Sequence, residues 1–324
     1  MSTAEETFVY RYLLDREGHG REIDSSEVAA WQPEQGMLWL HLETGNENAI
    51  QWLSEDSGLE PLIAEALSAS ETRPRSIATD DGLLVILRGV NTNPGADPED
   101  MVSVRVWIEQ NRIITVRRRK LLSVQDLRQM LAEGHGPRTP AEFLVMLSER
   151  LAFRIGEVVA DIDDAIESID DELDKGEISE LQPRIATIRR QAAAIRRYLA
   201  PQREALNRIR GRTSLADAHD LHDLEEVADV MTRYLEDLDL VREQSVMLHE
   251  QLTMRLANEQ GQRLYILSIV AAIFLPLSFI TGLLGMNVAG LPGIDYAPAF
   301  WVSLVLMAAI AGGLLVYFRF KRWI

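Results

Sequence analysis

The sequence predicts an α+β membrane protein with an N-terminal cytoplasmic α/β domain, a long helical hairpin and stalk helix, and two C-terminal transmembrane helices. Three patterns predict this class. Residues 8–120 contain β-branched and aromatic runs bounded by turn signals, and from about 141 the apolar residues follow a helical period. Two apolar runs without charge, 264–286 and 296–318, lie near the end of the chain. We therefore predict three domains, at residues 1–138, 139–263 and 264–324.

Charge is distributed unevenly along the 324 residues. The chain has 33 basic and 50 acidic residues and a formal net charge of -17, yet the only charged residue between Arg263 and Arg319 is Asp295. This pattern excludes a fully soluble enzyme and an intrinsically disordered chain, and the absence of cysteine excludes a disulfide scaffold. Because so negative a body repels phosphates, we expect no nucleic-acid partner. The basic cluster at 117–120 is expected to cap a strand edge or to pair with acidic neighbours.

Five runs in the N-terminal part have the composition of β-strands. They are residues 8–15, 37–42, 83–90, 102–109 and 112–117. Turn signals such as Asp81-Gly82 separate them. Helical stretches at about 46–55 and 58–70 lie among the strands, and this mixture predicts a compact α/β domain.

The helical part begins with a hairpin. A helix over 141–174 is followed by a turn and by a return helix over 178–210, and a further helix starts near 215 and continues without a break into the first apolar run. The apolar residues of this stalk recur about every 3.5 residues, which favours supercoiled packing against partners. They are Leu224, Val227, Met231, Leu235, Leu238, Val241, Leu248, Leu252 and Leu256.

The two apolar runs are long enough to cross a bilayer, since each has about the 20 apolar residues that a hydrocarbon core requires. The connection at 287–295 has no lysine or arginine, whereas a basic collar follows the second run. This collar consists of Arg319, Lys321 and Arg322. The positive-inside rule therefore predicts a multi-pass protein with both termini in the cytoplasm.

A weak candidate metal site lies at the start of the stalk. His219, His222 and Asp223 have a spacing that a helix can place on one face for zinc. The alternative is an ordinary polar helix start, favoured by the helix dipole. The sequence contains none of the common nucleotide-binding, hydrolase or zinc-protease motifs, so we expect that the protein is not an enzyme and has no cofactor.

The most informative motif is Gly285-Met286-Asn287, at the outer end of the first apolar run. It follows a very long helix and precedes a short connection, a second apolar run and a basic tail. With the segments 274–279 (FLPLSF) and 282–287 (GLLGMN), this arrangement strongly resembles the CorA family of divalent-cation transporters, whose signature is Gly-Met-Asn. Segments 71–75, 98–102 with 112–114, and 196–203 resemble the zinc-transport ZntB branch of that family.

The resemblance implies a homopentamer in which the first span of each subunit lines a pore. By position in the family, Gly285, Met286 and Asn287 would form the selectivity filter. The pore-lining residues would be Leu264, Leu267, Leu275 and Ser278. Gly261 falls at the inner mouth, where the magnesium branch often has a polar asparagine, so this chain departs from the family pattern there.

The chemistry of these residues predicts transport of a hydrated ion. The amide oxygen of Asn287 can hold a dication through its water shell, and the leucines can form apolar rings that gate by dewetting. Neither apolar run contains an aspartate, glutamate or histidine that could carry a proton. Asp295, in the connection, is expected to attract cations at the outer mouth.

The expected function is zinc uptake across the bacterial inner membrane through a pentameric pore, with a proton gradient as a candidate driving force. The partners are then divalent cations, the lipid bilayer and further copies of the chain. Co²⁺, Mg²⁺, Ni²⁺ and Cd²⁺ are alternative cargoes, and a magnesium or cobalt channel of the same family is the nearest alternative. A membrane-anchored coiled-coil sensor or scaffold is the alternative from another class.

Overall fold

The computed structural model describes residues 7–70, 72–175, 180–209, 215–287 and 297–321. The chain divides into two compact units, Met1–His249 and Glu250–Ile324. The first unit contains the sheet and its covering helices, and the second contains the C-terminal part of the longest helix together with the last helix. This is the predicted fold class: an α/β domain, a helical hairpin with a stalk, and two apolar helices.

The sheet has seven strands in the order β2-β1-β3-β7-β6-β5-β4. They are β1 Tyr10–Leu14, β2 Gly20–Glu22, β3 Met37–Glu43, β4 Arg75–Ala78, β5 Leu83–Gly89, β6 Val102–Ile108 and β7 Arg112–Arg117. All neighbouring strands are antiparallel except β3 and β7, which pair in parallel. The five predicted strands are confirmed. The two that the sequence analysis missed, β2 and β4, are the edge strands, whose short GRE and RSIA sequences lack an apolar run.

The central strands are buried on both faces, which makes the sheet the middle of three layers. Leu40 and Leu42 belong to a core cluster that includes Leu53 and Ile63 from one covering layer. Trp39 points the other way and contacts Phe143 from a long helix, with ring centroids 5.0 Å apart. This alternation is expected because successive side chains of a strand point to opposite faces.

Eight α-helices are described. They are α1 Ser25–Ala30, α2 Glu47–Gln51, α3 Pro61–Ser68, α4 Leu122–Ala132, α5 Pro140–Asp174, α6 Leu181–Asn207, α7 Ala218–Leu284 and α8 Ala299–Phe320. A π-helical turn at Trp52–Asp56 extends α2. The start of α5 has a clear local cause, because the Thr139 hydroxyl accepts from the Glu142 N–H at 3.0 Å and proline occupies the first helical position.

Helices α5, α6 and α7 pack side by side. Arg184 of α6 pairs with Glu172 of α5 at 2.6 Å, and Arg196 of α6 pairs with Asp239 of α7 at 2.8 Å. The stalk positions from Leu224 to Leu248 are buried within this chain. The apolar repeat of the stalk up to Leu248 is therefore covered intramolecularly, and this part of α7 does not need a second chain to bury it.

Candidate functional site

The second unit contains two helices that are long and apolar enough to cross a membrane, the C-terminal part of α7 and all of α8. In their most apolar stretches no residue is buried within the chain. Phe274 and Phe279 of α7 and Phe300 of α8 are among the large exposed side chains. Because so much contiguous apolar surface is not stable in water, it requires lipid or further protein as its surroundings.

The predicted pore-lining residues share one face of α7. The helix is continuous through Leu264, Leu267, Leu275 and Ser278. At about 100° per residue, these four positions fall within an arc of about 80°. Leu264 and Leu267 are each 64% exposed and Leu275 is 69% exposed. We call these four residues the pore stripe: three leucines with one hydroxyl at the end nearer the motif.

The motif Gly285-Met286-Asn287 terminates the helix that carries the stripe. The Gly285 N–H donates to the Thr281 carbonyl at 2.9 Å, which closes the last turn. A Cβ at position 285 would lie 3.0 Å from that carbonyl oxygen, so glycine allows the close approach. Asn287 is exposed at the end of this described segment. Its amide is therefore presented beyond the helix end, on the chain that leads into the connection.

Parts of the predicted site lie outside the described residues. Asp295 of the connection between the two apolar runs and Arg322 of the basic collar belong to this group. Arg319 lies in the last turn of α8, and Lys321 follows the helix, its N–H donating to the Tyr317 carbonyl at 3.0 Å. Cations at this position interact favourably with the helix dipole.

The structure does not bring His219, His222 and Asp223 together as a ligand set. The Nε2 atom of His219 lies 3.6 Å from an Asp223 carboxylate oxygen, whereas that of His222 lies 3.5 Å from a Glu226 oxygen. Each histidine therefore faces the acid one turn ahead of it. Within the described ranges, no three or more histidine, aspartate or glutamate side chains are arranged to hold a metal ion. The predicted zinc site at the start of the stalk is not supported, and the polar helix start accounts for these residues.

Acidic side chains face each other where α5 packs against α7. Partial burial raises the pKa of the Glu149 carboxyl, and the negative charges of Asp223 and Glu226 raise it further. The positive charge of Arg150 acts in the opposite direction. Burial also raises the pKa of Asp237, and the nearby Asp163 carboxylate adds to the effect. Glu149 of α5 lies near Asp223 of α7, and Asp163, further along α5, lies near Asp237, further along α7. The two helices therefore run in the same direction.

The basic cluster noted in the sequence is partly neutralised. Arg117 is nearly buried, and its Nη2 lies 2.9 Å from a Glu43 oxygen, which is the expected pairing with an acidic neighbour. Arg118 donates instead to the Ser70 carbonyl at 3.3 Å.

A sequence model of the CorA-like Mg²⁺ transporter protein family matches residues 34–322 of the chain. The chain belongs to the CorA family. Its members transport divalent cations, and this chain is accordingly a divalent cation transporter rather than a member of an enzyme family. The matched range includes the pore stripe and Gly285-Met286-Asn287.

Individual CorA-family proteins are similar over almost the whole chain. The divalent cation transporter CmaX of Pseudomonas aeruginosa is 37% identical, covering 99% of this chain and 98% of that protein. The structure of full-length CmaX matches with a TM-score of 0.85 over 100% of both chains. The zinc transport protein ZntB of Pectobacterium carotovorum is 32% identical, covering 98% of this chain and 96% of that protein.

A more distant structure shows the same fold. The CorA magnesium transporter of Methanocaldococcus jannaschii has a TM-score of 0.81 at 18% identity, covering 98% of this chain and 99% of that one. The arrangement of a sheet domain, long helices and two apolar helices is thus retained in a CorA protein of low sequence identity.

Proposed function

We propose that this CorA-family protein carries zinc inward across the bacterial inner membrane, as a homopentamer whose pore is lined by α7. The observation that carries the proposal is the placement of Leu264, Leu267, Leu275 and Ser278 on one face of a helix that ends in Gly285-Met286-Asn287. Five copies with this face turned inward would create rings of leucine, one ring of hydroxyl groups and an outer ring of amides. The resemblance to the family supports five copies. In this proposal the predicted domains 1–138, 139–263 and 264–324 have cytoplasmic, stalk and membrane roles respectively.

The composition of the proposed pore favours a hydrated ion. Zinc that is held directly by protein usually has cysteine, histidine or carboxylate ligands, and the two apolar runs contain none. Asn287 supplies a neutral oxygen that binds a hydrated dication weakly enough for release. Zinc is preferred as the cargo because the protein is 32% identical to a zinc transport protein over almost its full length.

The proposed inward transport requires a topology in which the motif and the connection face the outside. The basic collar, including Arg319 and Lys321, places both termini in the cytoplasm, and the connection with Asp295 then lies outside. Asp295 would concentrate cations at the outer mouth. A proton gradient would drive uptake through the membrane potential or through groups outside the spans, because neither apolar run has a titratable proton carrier.

A magnesium or cobalt channel is the second candidate function. It is favoured by the Gly-Met-Asn sequence, which is the family signature, and by the fold shared with a CorA magnesium transporter. A coiled-coil sensor or scaffold has less support, because it needs neither Asn287 nor the pore stripe, and because the stalk repeat up to Leu248 is covered by the chain itself.

Uptake into proteoliposomes tests the proposal. Radioactive zinc uptake is measured with unlabelled zinc, cobalt or magnesium as competitor, with and without an inward proton gradient. The proposal predicts that zinc competes most strongly and that the gradient accelerates uptake. Stronger competition by magnesium would favour the second candidate, and the absence of zinc uptake would contradict the proposal.

A further inference from the structure

Three segments that carry the resemblance to the zinc-transport branch meet around one cavity, although they are far apart in the sequence. The cavity has a volume of about 990 Å³ and lies in the first unit. Its walls include Thr72 and Arg73, the stretch 99–102, and Arg197 with Tyr198. None of these residues belongs to the proposed ion pathway.

The cavity is strongly basic in an otherwise acidic chain. Six arginines line it, against three acidic residues, so the lining carries a net charge of +3 while the whole chain carries -17. The arginines are Arg73, Arg88, Arg118, Arg119, Arg190 and Arg197. The acidic residues are Asp97, Glu99 and Asp100. Within the described ranges, no ion pair neutralises Arg118, Arg119 or Arg190, and the same holds for Arg73 and Arg197.

One arginine is built into the wall. The Arg88 guanidinium donates to the Met101 carbonyl at 2.7 Å and to the Thr72 carbonyl at 2.9 Å. It also lies over the Tyr198 ring, 4.1 Å from the centroid, which holds its plane in place. The Arg88 N–H donates to Gln202 Oε1 at 2.6 Å, so β5 and α6 are tied together beside the cavity.

A further arginine, which does not line the cavity itself, lies close enough to feel the charges of two arginines that do. Arg105 of β6 is fully buried, and its Nη2 donates to the Ala69 carbonyl. Its Nε and Nη1 atoms have no hydrogen-bond partner in the part of the chain that the structure describes. Burial lowers the pKa of Arg105 to about 10, and the positive charges of Arg88 and Arg118 contribute. A buried cation beside other cations is costly, and an anion in the adjacent cavity would reduce that cost.

We propose that this cavity binds a small anion carrying a diphosphate group, either inorganic pyrophosphate or the diphosphate of a nucleotide. Guanidinium groups form paired hydrogen bonds to phosphate oxygens, and several exposed arginines surround the space. The volume is in the range of small-molecule sites. A diphosphate carries a negative charge of similar size to the excess positive charge of the lining.

Isothermal titration calorimetry on the purified full-length protein, without transported metal, tests the proposal with pyrophosphate and with ADP. The expected result is saturable binding that weakens with added salt. Tighter binding of ADP would identify a nucleotide as the source of the diphosphate, and tighter binding of pyrophosphate would identify the inorganic anion. No saturable binding of either probe would overturn the proposal.

Two variants locate the site. Because each charged hydrogen-bonding partner contributes to affinity, Arg119→Gln/Arg190→Gln/Arg197→Gln is expected to weaken binding by at least about tenfold. The control Arg189→Gln changes an exposed arginine on the same helix that does not line the cavity, and it should bind as the wild type does. Equal affinities for all three proteins would overturn the assignment. A rise in the wild-type thermal midpoint with pyrophosphate, measured separately, supports binding without relying on a variant, and a midpoint that does not move would count against it.

Discussion

Tyr234 of α7 lies directly against Gly156 of α5. A Cβ atom at position 156 would lie 2.3 Å from the tyrosine hydroxyl oxygen and 2.7 Å from Cζ. The two helices can approach this closely because glycine has no side chain. Overpacking at this contact costs about 1–3 kcal/mol, and the higher helix propensity of alanine offsets about 1 kcal/mol of it. Gly156→Ala is therefore expected to destabilise the protein by up to about 2 kcal/mol net, measured as a lower thermal midpoint in detergent.

The matched control for this contact is Gly261→Ala, because a Cβ at position 261 meets nothing within 4 Å. Alanine is the better helix former by about 1 kcal/mol, so this change should leave the midpoint unchanged or raise it. Equal losses in both variants would show that the Gly156–Tyr234 contact is not the cause.

If Asn287 forms the filter as proposed, Asn287→Ala is expected to reduce ion uptake by about tenfold or more, because the amide oxygen proposed to contact the hydrated ion is lost. Uptake of labelled zinc into proteoliposomes measures the effect. Asn258→Ala is the control, since Asn258 is an exposed asparagine of the same helix outside the motif. Undiminished flux in Asn287→Ala would contradict the assignment of Asn287 to the selectivity filter.

Leu275→Ser is expected to increase basal ion leak several-fold, because a hydroxyl in the pore stripe keeps a narrow ring wet. The control Ile273→Ser makes a comparable change on the opposite face of α7, about 160° away around the helix axis. Leak is measured as dye-reported metal entry into proteoliposomes. If Ile273→Ser leaked as much as Leu275→Ser, the assigned pore face would be incorrect.

Asp295→Asn is expected to lower zinc uptake about two- to fivefold at low ionic strength, because the carboxylate no longer attracts the dication to the outer mouth. The difference should disappear in about 0.5 M salt, where such attraction is screened. Asp295→Glu retains the charge and should behave as the wild type. Identical uptake by Asp295→Asn and the wild type at low salt would exclude this role.

Glu149→Gln is expected to raise the thermal midpoint only slightly at pH 7.5, because much of this side chain remains in water. Since partial burial, together with the nearby Asp223 and Glu226 carboxylates, raises the pKa of Glu149 above its ordinary value of 4.5, its ionised form destabilises the folded protein. This penalty is fully present above the folded-state pKa and is relieved as the pH falls toward 4.5. The advantage of the variant should therefore shrink over that interval. The control Glu167→Gln changes another exposed glutamate of α5, 18 residues further along the helix. An equal gain there would rule out the local surroundings of Glu149 as the cause.

Local patterns were sufficient for most of the fold. The central strands β3, β5, β6 and β7 combine apolar content with flanking turns, and the charge-free runs of α7 and α8 exceed the length needed to span a bilayer. The sequence also indicates where α1 begins, although this helix was not among those predicted: Asp24 and Glu27 have the spacing of a capping box, and they form one. The edge strands β2 and β4 had no such signal, because pairing with a neighbour rather than their composition makes them strands.

The metal site predicted at His219 and His222 shows where local patterns fail. Their spacing allows a shared face, but each side chain also has an acid one turn ahead, and in the folded chain those acids are their partners. Spacing alone could not decide between these arrangements.

The amino-acid sequence by itself determined the two apolar runs, the motif that follows the first of them and hence the family, because each depends on residues close together in the chain. Only the tertiary structure decided which distant residues meet. It brought Arg73, Arg118 and Arg197 to one cavity and placed Tyr234 against Gly156. Contacts between residues so far apart in the sequence depend on how whole helices and strands pack on one another. A local sequence pattern contains no information about that packing.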